Sequence, residues 1–351
     1  MKKNYLFILG AAAMLASCSN SEVTEQQGEP AVEKSEVAIS LDATTNIKVD
    51  QTRAALDGWN NTPIRVWGLD KDGGNWTDAT AKLFAGRGYA DGTVAKGGAV
   101  TLDKQYFYPM NNAINFSFYA CAPNPGTPTV QASKVIVPFS INGNNDILWA
   151  EAHAVDKTVG DKTYAGYNAR YLRNNGAKPQ LTFNHLLTRL NFQAKKGVES
   201  DAESVLPVKI KNITITASAN ATMIVAGEGK GTLTEVVGTT AELPVFFGDD
   251  TYATQGALDL KDDLSLSEAG TVMVLPRAGA YQVTVELAAD GIADPIPAST
   301  FEIAAEGADG FLAGKAYTIN LTVYGLREVK FDNAVLTPWD KVTDIIDTEV
   351  N

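Results

Sequence analysis

Between residues 37 and 42 apolar and polar side chains alternate: Val37, Ile39 and Leu41 against Ala38, Ser40 and Asp42. A period of two predicts a half-buried strand. Short apolar runs of the same kind predict strands over 64–69, 105–108, 114–119 and 147–149. A second series covers 181–192, 208–218, 245–247, 271–275, 281–287, 301–303 and 317–323. Asp70-Lys-Asp-Gly-Gly-Asn75 and Gly227-Glu-Gly-Lys-Gly-Thr232 are turns, with glycine where positive φ is needed. Helical spacing is confined to a short stretch near 158–171. Around 172–179 polarity rises and Gly and Pro break any regular element. The pattern predicts an all-β chain of two tandem β-sandwich domains, 54–177 and 178–340.

The N-terminus carries a different pattern. Lys2 and Lys3 precede the apolar run Tyr5–Leu15, which ends in Leu15-Ala-Ser-Cys18. The run is too short to span a membrane. Small residues before a cysteine at this distance read as a bacterial lipoprotein signal. An ordinary signal peptide with an incidental cysteine is the plainer alternative. The first reading predicts that residues 1–17 are removed and that Cys18 carries lipid, placing the protein in the outer membrane or at the cell surface. From Ser19 to Lys34 the chain is polar and predicts a tether, so 18–53 comprises a tether and one separable strand. Arg53 then stands alone before Ala54 and Ala55, with Arg65 the next basic residue. A lone arginine in an exposed loop is a natural protease target. A plain loop arginine is the alternative.

Composition narrows the function. A net charge of −12 argues against nucleic acid, whose phosphates need a basic face. Only Cys18 and Cys121 are present, so a lipidated Cys18 leaves Cys121 unpaired within the chain, as a buried apolar residue. His153 and His185, the two histidines, fall in different expected domains, and no His-Glu-x-x-His, Cys-x-x-Cys or Gly-x-Ser-x-Gly occurs. The glycine-rich 227–232 segment lacks the order of a P-loop and suits a hairpin turn. Asp70-Lys-Asp-Gly starts like a calcium loop, but Asn75 and Ala81 stand where Gly and Glu are needed. No catalytic residue, metal or cofactor is expected.

Four places together resemble the fimbrillins, the lipoprotein-derived pilins of Bacteroidales type V pili. They are the lipobox ending at Cys18, Arg53 before Ala-Ala, Leu181-Thr-Phe-Asn-His-Leu-Leu-Thr-Arg-Leu190, and Ala313-Gly-Lys-Ala-Tyr-Thr-Ile-Asn-Leu321 with the later Leu336-Thr-Pro-Trp339. The resemblance implies two transthyretin-like sandwiches and no catalysis. It also implies export as a lipoprotein and a cut after Arg53 by an arginine-specific surface protease. The strand of Val37, Ile39 and Leu41 would leave with the cut. A neighbour's C-terminal segment would then add to the exposed edge, building a head-to-tail filament of copies or related pilins. In this chain the donor would be 341–351, through Val342, Ile346 and Val350, although Asp344 interrupts that row. Trp339 would plug a core, and His185 would pack at the junction of the domains. Two other functions remain open at this stage. One is a monomeric surface lipoprotein that binds glycan by stacking sugar on Trp59 or Trp76. The other is the tip or anchor subunit of the same pilus.

Overall fold

The computed structural model describes residues 36–45, 59–110, 114–175, 178–198, 208–292, 294–325, 328–331 and 334–337. Cys18, Arg53, Ala54, Trp339 and the 341–351 tail lie outside these residues.

The described chain is all-β, with sheets packed face to face as sandwiches. The first sheet has seven strands. They are β1 (Asp42–Thr45), β2 (Thr62–Asp70), β3 (Ala90–Val94), β4 (Val100–Leu102), β5 (Phe116–Ala122), β7 (Leu148–Ala152) and β8 (Gln180–His185), while β6 (Val135–Ser140) belongs to another sheet. Their order across the sheet is β1-β8-β7-β5-β2-β3-β4. All pairs are antiparallel except β1 with β8, which run parallel from Asp42 opposite Gln180 to Thr45 opposite Phe183.

β5 reads Phe-Ser-Phe-Tyr-Ala-Cys-Ala and is buried on both faces. One face, through Phe116, Phe118 and Ala120, joins Ile64, Val66, Leu148, Ala150, Leu181 and Phe183 in the first core. The opposite face, through Tyr119 and Cys121, meets Val135, Val137 and Phe139 of β6 in a second core. Cys121 is fully buried, and burial pushes its thiol pKa well up, away from reactivity.

Past the first sheet come β9 (Thr188–Lys196), β10 (Val208–Ser218), β11 (Asn220–Ala226), β12 (Thr240–Pro244), β13 (Ser267–Val274), β14 (Tyr281–Ala289), β15 (Ser299–Ile303) and β16 (Ala316–Tyr324). β13-β9-β16 form the centre of a second seven-stranded sheet, which faces a sheet built on β12-β10-β14-β15. Leu190, Phe192, Val272, Tyr317, Ile319 and Leu321 alternate inward from the former, and Ile213, Ile215, Val283 and Val285 from the latter. Burial of such side chains contributes about 1.5–3 kcal/mol each before entropy is subtracted.

Two features depart from the pattern reading. The apolar stretch 181–192 is two strands: β8 completes the first sheet, and β9 begins the second after a break at Leu186-Leu187. The expected boundary at 177/178 therefore falls just before a strand of the first sheet. The stretch near 158–171 is mostly a hairpin of Lys157–Val159 with Lys162–Tyr164, and the helix α1 occupies Ala169–Asn175 instead. Tyr164 and Tyr167 each set a ring edge-on to Tyr171, which ties the hairpin and the turn after it to the helix.

Candidate functional site

The segment Val37–Thr45 occupies the gap between the two ends of the first sheet. At one end β1 pairs with β8, and the Asp42 N–H donates to the Pro179 carbonyl at 3.1 Å. At the other end the same segment meets the strand preceding and including β4. The Ala43 N–H donates to the Gly98 carbonyl at 2.7 Å, and the Val100 N–H to the Leu41 carbonyl at 3.3 Å. Further along, the Ile39 N–H donates to the Tyr106 carbonyl at 2.8 Å, and the Tyr108 N–H to the Val37 carbonyl at 2.9 Å. Isolated bridges Asp42–Ala99 and Ala38–Phe107 complete the antiparallel contact. One short segment thus closes an open sheet on itself, so that neither edge is left unpaired where it sits.

The side chains follow the predicted alternation. Ile39, Leu41 and Ala43 point into the first core with exposures of 8%, 2% and 3%, and Val37 packs partly against it. Ser40 and Thr44 face water, and Asp42 meets Lys178 Nζ at 3.5 Å. The surrounding core is aromatic. Trp59 stands edge-on to Phe183 with centroids 5.0 Å apart, and Phe84 edge-on to Tyr106 at 4.9 Å. Tyr108, also buried, sets its ring edge-on to Phe118 at 6.2 Å. Burial drives the Tyr108 phenol pKa far above its ordinary value.

A charged chain supports the 103–108 side of the gap. Arg65 Nε lies 2.6 Å from Asp91, Arg87 spans Asp91 at 3.1 Å and Asp103 at 2.6 Å, and the Tyr106 hydroxyl donates to Asp103 at 3.0 Å. Burial first, then that bond to Asp103, raises the Tyr106 phenol pKa.

Gly98 sets the closest backbone approach in the gap. Its φ is +90°, and a Cβ there would lie 2.2 Å from the Ala43 carbonyl oxygen. We expect Gly98→Ala to force the segment outward and cost about 1–3 kcal/mol. Thermal melting of the uncut chain, with timed digestion by an arginine-specific protease, checks this. A wild-type melting temperature and cutting rate would contradict it.

The remaining candidates are structural. His185, at the end of β8, is buried against the Asp146 carboxylate. Asp146 also accepts the Ile147 N–H at 2.8 Å, so the pair pins the corner where the chain leaves the first sheet. His153 is exposed, with Ser117 Oγ 3.2 Å from Nδ1. Glycan stacking on Trp59 or Trp76 is corrected by their positions. Both are core residues, 8% and 6% exposed, and the Trp76 indole N–H donates to the Asp70 carbonyl at 3.3 Å. The 70–75 segment is an Asx turn, with the Asp72 N–H on Asp70 Oδ1 at 3.1 Å. The 227–232 segment is the expected hairpin turn, the Gly231 N–H donating to the Ile224 carbonyl at 2.8 Å. Among the described residues no three His, Cys, Asp or Glu side chains are grouped to hold a metal ion.

A family model described as fimbrillin-like matches residues 52–339. No curated protein matches the chain. Among solved structures, a candidate cell adhesion protein of Bacteroides uniformis superposes with a TM-score of 0.51 at 17% identity, covering 86% of this chain and 98% of that one. A candidate cell adhesion protein of Bacteroides ovatus gives 0.51 at 14% identity, covering 89% and 100%. At these identities the likeness shows a shared fold. A fimbrial protein of Bacteroides vulgatus gives 0.48 at 12% identity, covering 87% and 100%.

Proposed function

The chain belongs to the fimbrillin-like family and is a non-enzymatic fimbrial subunit of the cell surface; from that premise we propose that it assembles by strand exchange at the first sheet. In this reading the chain is exported as a lipoprotein on Cys18, held at the outer membrane, and cut after Arg53. The position of 37–45 supports this reading. Its residues close the first sheet and fill its core, yet they lie only a few residues before Arg53. Cutting there detaches the closing segment from the chain that remains.

Loss of the segment would uncover the positions of Ile39, Leu41 and Ala43 and free the backbone groups of β8, Gly98, Val100, Tyr106 and Tyr108. Buried apolar surface and paired backbone groups left open to water are both costly. An extended segment from another subunit restores both, by β-addition. The 341–351 tail, with Val342, Ile346 and Val350, is this chain's own donor toward a neighbour. Head-to-tail contacts of this kind do not close, so they propagate a filament.

Two experiments test the reading. Cys18→Ala should move the precursor from the detergent phase to the aqueous phase without changing its melting temperature, since it removes membrane affinity and leaves the described cores as they are. Unchanged partitioning would remove the lipoprotein step. Deleting 341–351 should give a chain that melts cooperatively at the parent temperature but ends any fibre it joins. Fibres of parental length from the truncated chain would place the donor elsewhere.

A further inference from the structure

The groove left by residues 37–45 has a defined shape, and the chain's own tail does not match it. The segment buries four positions of one face in succession: Val37 in part, then Ile39 and Leu41, then Ala43. At Ile39 and Leu41 the core accepts large apolar side chains at consecutive inward positions. At Ala43 the inward position is filled by a methyl group, 3% exposed. An incoming strand that fills the groove as this segment does presents large apolar, any, large apolar, any, small.

A strand drawn from 338–351 has two faces. One carries Pro338, Asp340, Val342, Asp344, Ile346, Thr348 and Val350. The other carries Trp339, Lys341, Thr343, Ile345, Asp347, Glu349 and Asn351. On neither face do two consecutive residues both bear apolar side chains. Every register that fills both the Ile39 and Leu41 positions from 338–351, in either direction, thus sets an Asp, Thr, Lys, Glu or Asn at one of them. A carboxylate or hydroxyl without a partner in that apolar site is heavily disfavoured.

Resting on the strand-exchange reading, we propose that this groove receives its donor from a subunit of different sequence, one with two successive large apolar residues on one face followed by a small one. The chain is then a heterotypic link. Its tail serves a neighbour, but a second copy does not serve it. Two substitutions in the tail, Asp344→Val and Thr348→Ala, would remove the mismatch. The face that starts at Val342 and includes Ile346 would then run valine, valine, isoleucine, alanine. That order matches Val37, Ile39, Leu41 and Ala43 in size.

The test uses the full chain with a site-specific protease sequence placed at residues 50–53, cut and stripped of its excised segment in mild denaturant. Three fluorescent peptides are titrated by anisotropy: residues 36–45, residues 340–351, and residues 340–351 with Asp344→Val and Thr348→Ala. We expect the first and third to bind and to restore the melting temperature, and the second to bind roughly tenfold or more weakly. We also expect the cut chain alone to stay monomeric on sedimentation, and the cut chain bearing both tail substitutions to form oligomers. A native tail peptide that binds as tightly as 36–45, or self-association of the cut wild-type chain through its groove, overturns the heterotypic assignment while leaving strand exchange in place. Failure of the 36–45 peptide itself to rebind takes down strand exchange, and the assignment with it.

Discussion

Arg53→Ala will leave the full-length lipoprotein on the cell surface and abolish its incorporation into fibres. The expectation follows from where the closing segment is paired, not from the arginine's own contacts. While 37–45 remains covalently joined, any displaced strand is held beside the groove at high local concentration and rebinds before a donor from another subunit can compete. Cleavage turns that intramolecular partner into a separate peptide that can diffuse away. The effect should be close to all-or-none, with no change in thermal stability, since 37–45 keeps its place in the first core. Electron microscopy of the mutant surface and immunoblotting of sheared material read it out. Fibres containing the uncut chain would show that 37–45 need not leave.

Leu41→Ala should destabilise the uncut chain by about 2–5 kcal/mol, the range for removing a buried leucine side chain. Leu41 is 2% exposed and sits between β8 and the Gly98–Val100 strand, where the backbone is clamped on both sides and can relax little. The diagnostic part is what happens after the cut. Once the segment is gone, the mutant and wild-type chains are identical, and their melting temperatures should coincide. A core residue that stays with the chain, such as Phe183 on β8, gives a different result: Phe183→Ala should destabilise both forms by about 3–5 kcal/mol. Paired denaturation curves before and after cleavage separate the two. A Leu41→Ala penalty that survives the cut would mean that the segment remains bound.

Much of the all-β architecture was legible because alternation survives wherever one face is buried. Val208–Ser218 coincides with β10, where Val208, Ile210, Ile213 and Ile215 face the core across a bulge near Lys211. The inward set Val37, Ile39 and Leu41 was likewise visible, although β1 itself covers Asp42–Thr45 and the earlier residues are held by bridges and single bonds. What the sequence hid was partnership. Leu181, Phe183 and His185 lie on odd positions, whereas Leu190, Phe192 and Ala194 lie on even ones. That change of phase marks the turn from one sheet into another, because a one-residue slip flips every side chain. Residues 135–140 form β6 although Pro138 lies within them. Pro138 is tolerated there since the short Thr129–Val130 strand pairs only as far as Ile136, and beyond it the chain asks the proline only for its carbonyl, which accepts the Gly126 N–H at 3.1 Å. Residues 105–108 look like a strand but bridge at Phe107 only, to the segment that closes the sheet. That closure joins parts of the chain about sixty residues apart and β8 far beyond them, so no local period announces it.

In assembly by strand exchange, 37–45 leaves before the subunit joins a fibre. N-terminal sequencing of this chain recovered from sheared filaments tests it most directly. A single start at Ala54 is expected, with residues 36–53 absent from the polymer. A polymerised chain that begins at lipidated Cys18, with Ile39 and Leu41 still attached, would contradict it.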